Sequence, residues 1–352
     1  MSLLMEYINR ALGTTLQVTH EIFPVVTLTG PRQSGKTTLC RHLYPDMPYI
    51  NFENVQTGLL FNDNPVGFID SFSNGAIIDE AQIEPTVFRA LQTVVDEDRH
   101  IGRNRKFIIT GSSNFSIMAN SSESMAGRTA PLTLLPLSVN EILQNRKDYV
   151  STNELMYLGG YPQIWTSPIK AAEIILQSYI DTYVERDLRQ LMNIKDLNKF
   201  IKFLGLCAGR VGTELNRSSL AVETGVTVAT IDSWLSVLEA SYVIWMLPPW
   251  STNINKRLTK SSKLYFCDTG LLCYLLGIKE AKQLDNYPLR GAIFENMVVN
   301  NFLKAAYNAG KKPRLSFFRD KTGREIDLIV ENTDGISAFE IKASSGFNPD
   351  YY

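Results

Sequence analysis

The sequence predicts an α/β protein: an open parallel sheet with helices on both faces, then a helical domain, then a second and smaller α/β domain. Three observations predict it. Short, nearly continuous apolar runs alternate with helical patterns up to about residue 145, and a glycine-rich loop follows the first of these runs. From Ser151 the pattern turns helical before two further strands near the end of the chain. Strands buried on both faces read as unbroken apolar runs, and helix-length spacers between them imply parallel crossovers.

Taken in order, the runs are Val25-Val26-Thr27-Leu28-Thr29, Tyr49-Ile50-Asn51-Phe52, Ala76-Ile77-Ile78-Asp79, Lys106-Phe107-Ile108-Ile109-Thr110 and Leu132-Thr133-Leu134-Leu135. They place a first domain at residues 1–150. Residues 151–263 read as a helical linker with a compact helical unit and hairpin, including a long amphipathic stretch over 171–192. Residues 264–352 read as a second α/β domain, with a helix around Glu295 and strands over 325–331 and 337–342.

A chain of 352 residues is long enough for two or three cores. Its formal charge of -1 gives no bulk attraction to nucleic acid or anionic lipid, so any such contact needs a local basic patch. The four cysteines are scattered without a C-x-x-C pair, which argues against a zinc site or disulfide framework and fits a reducing compartment. No apolar run approaches the ~20 residues of a membrane span, and Glu6 stands where a leader peptide would carry basic residues. A cytoplasmic location is expected.

The chemistry concentrates in Gly30-Pro31-Arg32-Gln33-Ser34-Gly35-Lys36-Thr37-Thr38. This matches G-x-x-x-x-G-K-[ST] between a strand and a helix, the context that makes the motif specific. Glycines let backbone N–H groups turn toward phosphate oxygens at a helix N-terminus. Lys36 is expected to reach the β- and γ-phosphates of ATP, and Thr37 to offer its hydroxyl to Mg²⁺. Asp79 ends an apolar strand, where a carboxylate can face the magnesium water shell. Glu80 beside it can polarise an attacking water. Thr110, Ser112 and Asn114 follow another strand, at the carboxyl ends where ligands sit in such sheets. They are candidate γ-phosphate sensors as well as ordinary turn residues. Arg128 is a candidate for stabilising transition-state charge, within its own subunit or a neighbouring one.

In the middle domain, Asn216 opens a short helix that Gly225 closes, and Thr227 caps a second with Ile231, Trp234, Leu235 and Leu238 on one face. With a following strand this outlines a winged helix-turn-helix. The second helix carries no lysine or arginine, whereas Lys256, Arg257, Lys260 and Lys263 cluster where a wing would lie. A packing module and a wing-mediated DNA contact both fit. Nearer the end, Asp327, Glu340 and Lys342 on two strands, with Glu295 on a helix, suggest either a divalent-metal site for phosphodiester cleavage or an ion pair that fixes strand register.

The ordered set of Gly-Pro-Arg-Gln-Ser-Gly-Lys-Thr, Ile-Ile-Asp-Glu-Ala-Gln, Thr-Gly-Ser-Ser, Ala126-Gly127-Arg128, Leu135-Pro136-Leu137-Ser138 and Tyr157-Leu158-Gly159-Gly160-Tyr161-Pro162 resembles the prokaryotic AAA+-like ATPases. Tyr183-Val184-Glu185-Arg186-Asp187, Phe266-Cys267-Asp268-Thr269-Gly270-Leu271 and Phe294-Glu295-Asn296 extend the likeness over nearly the whole chain. It is similar to those members that carry a C-terminal domain of unknown function related to PD-(D/E)XK nucleases. The resemblance implies a P-loop NTPase sheet of AAA+/ASCE type, a winged-helix-like middle and a nuclease-like end. It implies nucleotide roles for Lys36, Thr37, Asp79 and Glu80, and the nuclease-like signature for Glu295, Asp327, Glu340 and Lys342. Members usually continue past the last strand, whereas this chain ends ten positions beyond Lys342, so an incomplete last domain is expected. Three functions follow as expectations: an ATPase that switches conformation on DNA or a protein partner, an ATP-regulated metal-dependent nuclease, and a module that binds ATP without hydrolysing it.

Overall fold

Val25 to Thr29 are buried without exception, as a central strand demands. The computed structural model describes residues 7–111, 125–146, 148–183, 197–251, 261–320, 322–333 and 335–343. Contacts divide the chain into two units, one of residues 7–136 with 306–311, the other of 137–305 with the residues from 312 onward.

The first unit contains α1 (Leu12–Ile22), β1 (Val25–Thr29), α2 (Lys36–Leu43), β2 (Tyr49–Asn51), α3 (Val55–Asp63), α4 (Pro65–Asp70), β3 (Ile77–Asp79), α5 (Thr86–Ile101), β4 (Phe107–Gly111) and β5 (Thr129–Thr133). The strands form one parallel sheet in the order β2-β3-β4-β1-β5. Alternation along each strand divides the core into two layers. Val25, Ile78, Phe107 and Ile109 pack with Phe88, Leu91 and Val95 of α5 on one face. Val26, Leu28, Ile77 and Ile108 pack with Leu12 and Leu16 of α1 and Leu39 of α2 on the other. The fold is therefore the α/β parallel sheet that the apolar runs imply.

Two differences from the sequence expectation have physical causes. The fifth strand lies three residues earlier than its apolar run, because as an edge strand it is only partly buried and carries little apolar signal. Leu134 and Leu135 are buried beyond its end, where the chain turns against the glycine-rich loop. The helix α1 also precedes the sheet. Its apolar stripe is short, and it lacks a side-chain cap that would have marked its start.

The second unit contains α6 (Val139–Asn145), α7 (Thr152–Leu158), α8 (Pro162–Trp165), α9 (Ala172–Thr182), α10 (Leu197–Ala208), α11 (Arg217–Thr224), α12 (Val228–Ala240), β6 (Ile244–Leu247), β7 (Lys263–Phe266), α13 (Thr269–Leu275), α14 (Arg290–Asn308, whose last turn belongs to the first unit), β8 (Leu315–Arg319), β9 (Glu325–Asn332) and β10 (Gly335–Phe339). Asn216 and Thr227 cap α11 and α12 through their side chains, and Gly225 closes α11 in the left-handed region. Phe200 and Phe203 of α10 pack on Trp234 of α12.

The hairpin of β6 and β7 follows these helices, with Ile244 opposite Phe266. A boundary after Lys263 would cut β7 from its partner strand. Asn296 of α14 both accepts from Phe266 N–H at 2.8 Å and donates to its carbonyl at 2.9 Å, which ties that helix to the same hairpin. The last sheet is antiparallel, in the order β10-β9-β8. Its β8 escapes the period-2 pattern because the register slips between Ser316 and Phe318. The edge strand β10 ends at Phe339, before Glu340 and Lys342.

Candidate functional site

Three strand ends build the site, since β1, β3 and β4 are neighbours in the sheet and finish on one side. Beyond β1 the loop 30–37 turns sharply. Gly30 has φ 150, and a Cβ there would lie 2.1 Å from the carbonyl oxygen of Leu134. Gly35, with φ 93, stands directly before α2, and Gln33 is also left-handed at φ 58. Backbone of alternating hand curls into the concave amide nest that suits an anion. Gly30→Ala is therefore expected to displace the loop or the chain at Leu134, lowering both thermal stability and nucleotide affinity at least tenfold, a loss of about 1.4 kcal/mol or more. A nucleotide titration beside a melting curve checks it.

Lys36 is buried, and its ammonium donates to the carbonyls of Gly30 at 2.9 Å and Pro31 at 2.8 Å. Burial pushes its pKa down to about 8, against the opposing pull of the Glu80 and Asp79 charges. Ser34 Oγ is buried in the same loop with no protein partner. An orphaned hydroxyl beside a buried cation, in a cradle that a side chain at residue 30 would fill, fits a bound phosphate chain. Among the remaining loop residues, Thr38 is exposed on α2, whereas Pro31 is buried and Arg32 half-buried.

Asp79, at the end of β3, collects the neighbouring donors. Thr37 Oγ1 donates to its Oδ2 at 2.7 Å, and Thr110 Oγ1, from the end of β4, to its Oδ1. Glu80 N–H adds 3.1 Å to Oδ1. Glu80 itself is left-handed, at φ 54 and ψ 41, uncommon for a side chain of this kind. Gln82 donates to its carboxylate, and burial raises the Glu80 pKa above the usual carboxylate range. The hydroxyl of Thr37, the carboxylate of Asp79 and the half-buried carboxyl of Glu80 thus stand beside the lysine, a donor set that suits a hydrated magnesium ion.

Two members of this site carry no motif in the sequence. Tyr49, on the edge strand β2, donates its hydroxyl to Asp79 Oδ2 at 2.6 Å. Arg10, itself buried, braces the loop, donating to Ser34 O and Leu135 O at 2.6 Å each. Both come from positions that become neighbours only once the sheet has formed, so local spacing gives no signal for them.

Other sequence candidates lie elsewhere. Arg128 stands at the start of β5, where its carbonyl accepts from Val25 N–H, at the end of the sheet opposite the loop. Five residues of strand, roughly 13 Å at about 3.3 Å per residue, separate the two ends. Its guanidinium is held in a two-pronged pair with Asp96, at 2.6 and 2.8 Å. Within its own chain Arg128 thus stands at the end of the sheet opposite the loop. Ser112 and Asn114 lie outside the described residues, as do Lys256, Arg257 and Lys260.

Lys263 belongs to a different network. It is buried between Glu295, at 3.2 Å, and Glu325, while Tyr265 also donates to Glu295. Asp327 accepts from Ile341 N–H at 2.8 Å, and Lys342 lies 4.0 Å from it while pairing with Glu340. Among the described residues no three carboxylate, histidine or cysteine groups gather in a way that could hold a metal ion. Lys263 thus pairs with Glu295, the residue that the sequence grouped with Asp327 and Glu340. Lys263 with Glu295 and Glu325, and Lys342 with Asp327 and Glu340, form ion pairs.

Comparison with known proteins agrees with this geometry. Residues 23–143 match the model of an AAA domain, and residues 150–282 and 290–351 match models of two domains of unknown function. Uncharacterized proteins of Mycobacterium bovis and Mycobacterium tuberculosis are each 34% identical over 325 residues, covering 92% of this chain and 71% of theirs. The chain belongs to the family of these two mycobacterial proteins. Among solved structures, the Walker-type ATPase PABY2304 of Pyrococcus abyssi is similar in fold, with a TM-score of 0.51 at 15% identity over 76% of this chain and 96% of that one. No helix among the described residues is long and apolar enough to cross a membrane.

Proposed function

We propose that this member of the family binds ATP with magnesium at residues 30–37 and hydrolyses it, turnover driving a conformational change that acts on DNA or a protein partner. The convergence of Thr37, Thr110 and the Glu80 amide on Asp79, beside the buried Lys36, carries the reading. The AAA domain match over the same residues supports it.

Lys36, with the loop amides, holds the phosphate charge once its ammonium turns from the carbonyls of Gly30 and Pro31. Thr37 and Asp79 hold the metal and its water. Magnesium held there would neutralise phosphate charge. Glu80 orients the attacking water and takes its proton, a task that suits a carboxyl whose pKa is raised by burial. Thr110 fixes Asp79 from β4. DNA as the partner is supported by the basic residues Lys256, Arg257 and Lys260 between the hairpin strands, although α12 carries no lysine or arginine. Phosphate release measured with and without duplex DNA, beside a Lys36→Ala control, tests the reading. Stimulation by DNA identifies the partner class, and equal release by the control contradicts ATP turnover at this loop.

The lysine also sets a pH dependence. Below pH about 8 its ammonium is charged in the nucleotide-free protein, and above that value it loses its proton. Phosphate binding favours the charged form, so ATP affinity should be level below pH 8 and fall as pH rises beyond it. Between about pH 8 and 9 binding should take up a proton, which calorimetry in two buffers of different ionisation enthalpy measures directly.

A further inference from the structure

We propose that Tyr49 is a latch on Asp79, engaged in the nucleotide-free protein and released when magnesium and nucleotide bind; this rests on the nucleotide reading above. A carboxylate offers about four acceptor positions. Those of Asp79 are taken by Thr37 Oγ1 and Tyr49 Oη on one oxygen and by Thr110 Oγ1 and Glu80 N–H on the other. Asp79 is 3% exposed, so no further solvent-side position lies open. To accept from a metal-bound water, Asp79 must lose one donor.

The four donors differ in their freedom. Glu80 N–H is backbone, fixed by the strand end. Thr110 sits on the central strand β4 with 0% exposure. Thr37 can keep its proton on Asp79 while its oxygen lone pair faces a metal. Tyr49 alone comes from an edge strand, pairs only through β3, and is 37% exposed. Its register partner is Ile77, so the phenol reaches Asp79 along the diagonal and can swing outward without breaking the ladder. Arg41 of α2 lies over its ring at 5.1 Å. Arg41 follows Lys36 on the helix that the loop opens, so a shift of that helix bears on Tyr49 directly. The edge of the sheet would then report whether the loop is filled.

Tyr49→Phe removes the hydroxyl and keeps the ring. Binding of a fluorescent ATP analogue is followed across a magnesium series, and melting temperature with and without saturating magnesium and ATP. The latch requires half-maximal binding of the variant at about tenfold lower magnesium than wild type, the effect of one hydrogen bond to a charged group. It also requires a lower melting temperature than wild type without nucleotide, the difference vanishing when magnesium and ATP saturate. An unchanged magnesium dependence overturns the latch. A variant that needs more magnesium also overturns it, since the phenol would then position Asp79 for the metal. Wild type that binds no nucleotide at any magnesium concentration overturns the nucleotide reading itself, a result distinct from either.

Discussion

Replacing Glu80 by glutamine is expected to lower ATP turnover by about 10²–10⁴-fold while leaving ATP affinity within about threefold of wild type. The substitution keeps the shape of the side chain and its capacity to accept from Gln82, so the left-handed backbone at residue 80 gains no new strain. It removes the basic oxygen that, on the proposed mechanism, takes the proton from water. Lys36, Thr37 and Asp79, to which the proposal gives the nucleotide and its metal, are untouched. Turnover therefore separates from binding, as it does whenever a group acts only in the transition state. Steady-state phosphate release beside an ATP titration gives both numbers. Unchanged turnover would make Glu80 a strand-end carboxylate without a chemical role.

A second large effect is expected in the other unit, where two glycine-containing motifs meet at one carboxylate. Asp268 is 1% exposed, caps α13 through Leu271 N–H at 2.9 Å and accepts from Gly160 N–H at 2.6 Å. Gly159 has φ 64, and a Cβ on it would lie 2.4 Å from an Asp268 oxygen, so glycine is required for the backbone to come this close. Lys304, itself buried, donates to Leu137 O at 2.9 Å and places its positive charge near Asp268. Asp268→Ala leaves the buried amides of Gly160 and Leu271 without their acceptor and removes the negative charge that faces the Lys304 ammonium. Removing one member of such a set costs about 3–5 kcal/mol, read as a fall in the denaturant midpoint or a loss of folded protein. Since this network lies far along the sequence from the loop, ATP binding by whatever protein stays folded should persist.

Legibility in the sequence followed how local the determinants are. The sheet could be read because Val25 to Thr29, Ile77 to Asp79 and Phe107 to Gly111 are buried on both faces, and burial on both faces writes itself into composition. The expectation for Lys36, Thr37, Asp79 and Glu80 rested on local position, since each sits at or shortly after the end of a strand. Tyr49 and Arg10 could not be read this way, since their contacts cross 30 and 24 residues and depend on strand order. Arg128 shows the converse. A glycine-arginine pair that reads as a candidate for the phosphate site stands at the opposite end of the sheet because β5 runs parallel to β1. The carboxylate pattern of the second unit was legible as a pattern. Lys263, the cation at its centre, comes from a hairpin strand about thirty residues away, where spacing says nothing of its pairing.

The whole account depends on the loop around Lys36 holding a nucleotide. Calorimetric titration of magnesium and ATP into the full chain, beside Lys36→Ala, measures that directly. One saturable site per chain, lost or weakened at least a hundredfold in the variant, about 2.7 kcal/mol, is the predicted result. No heat of binding by the wild type, or equal binding by both proteins, would contradict it.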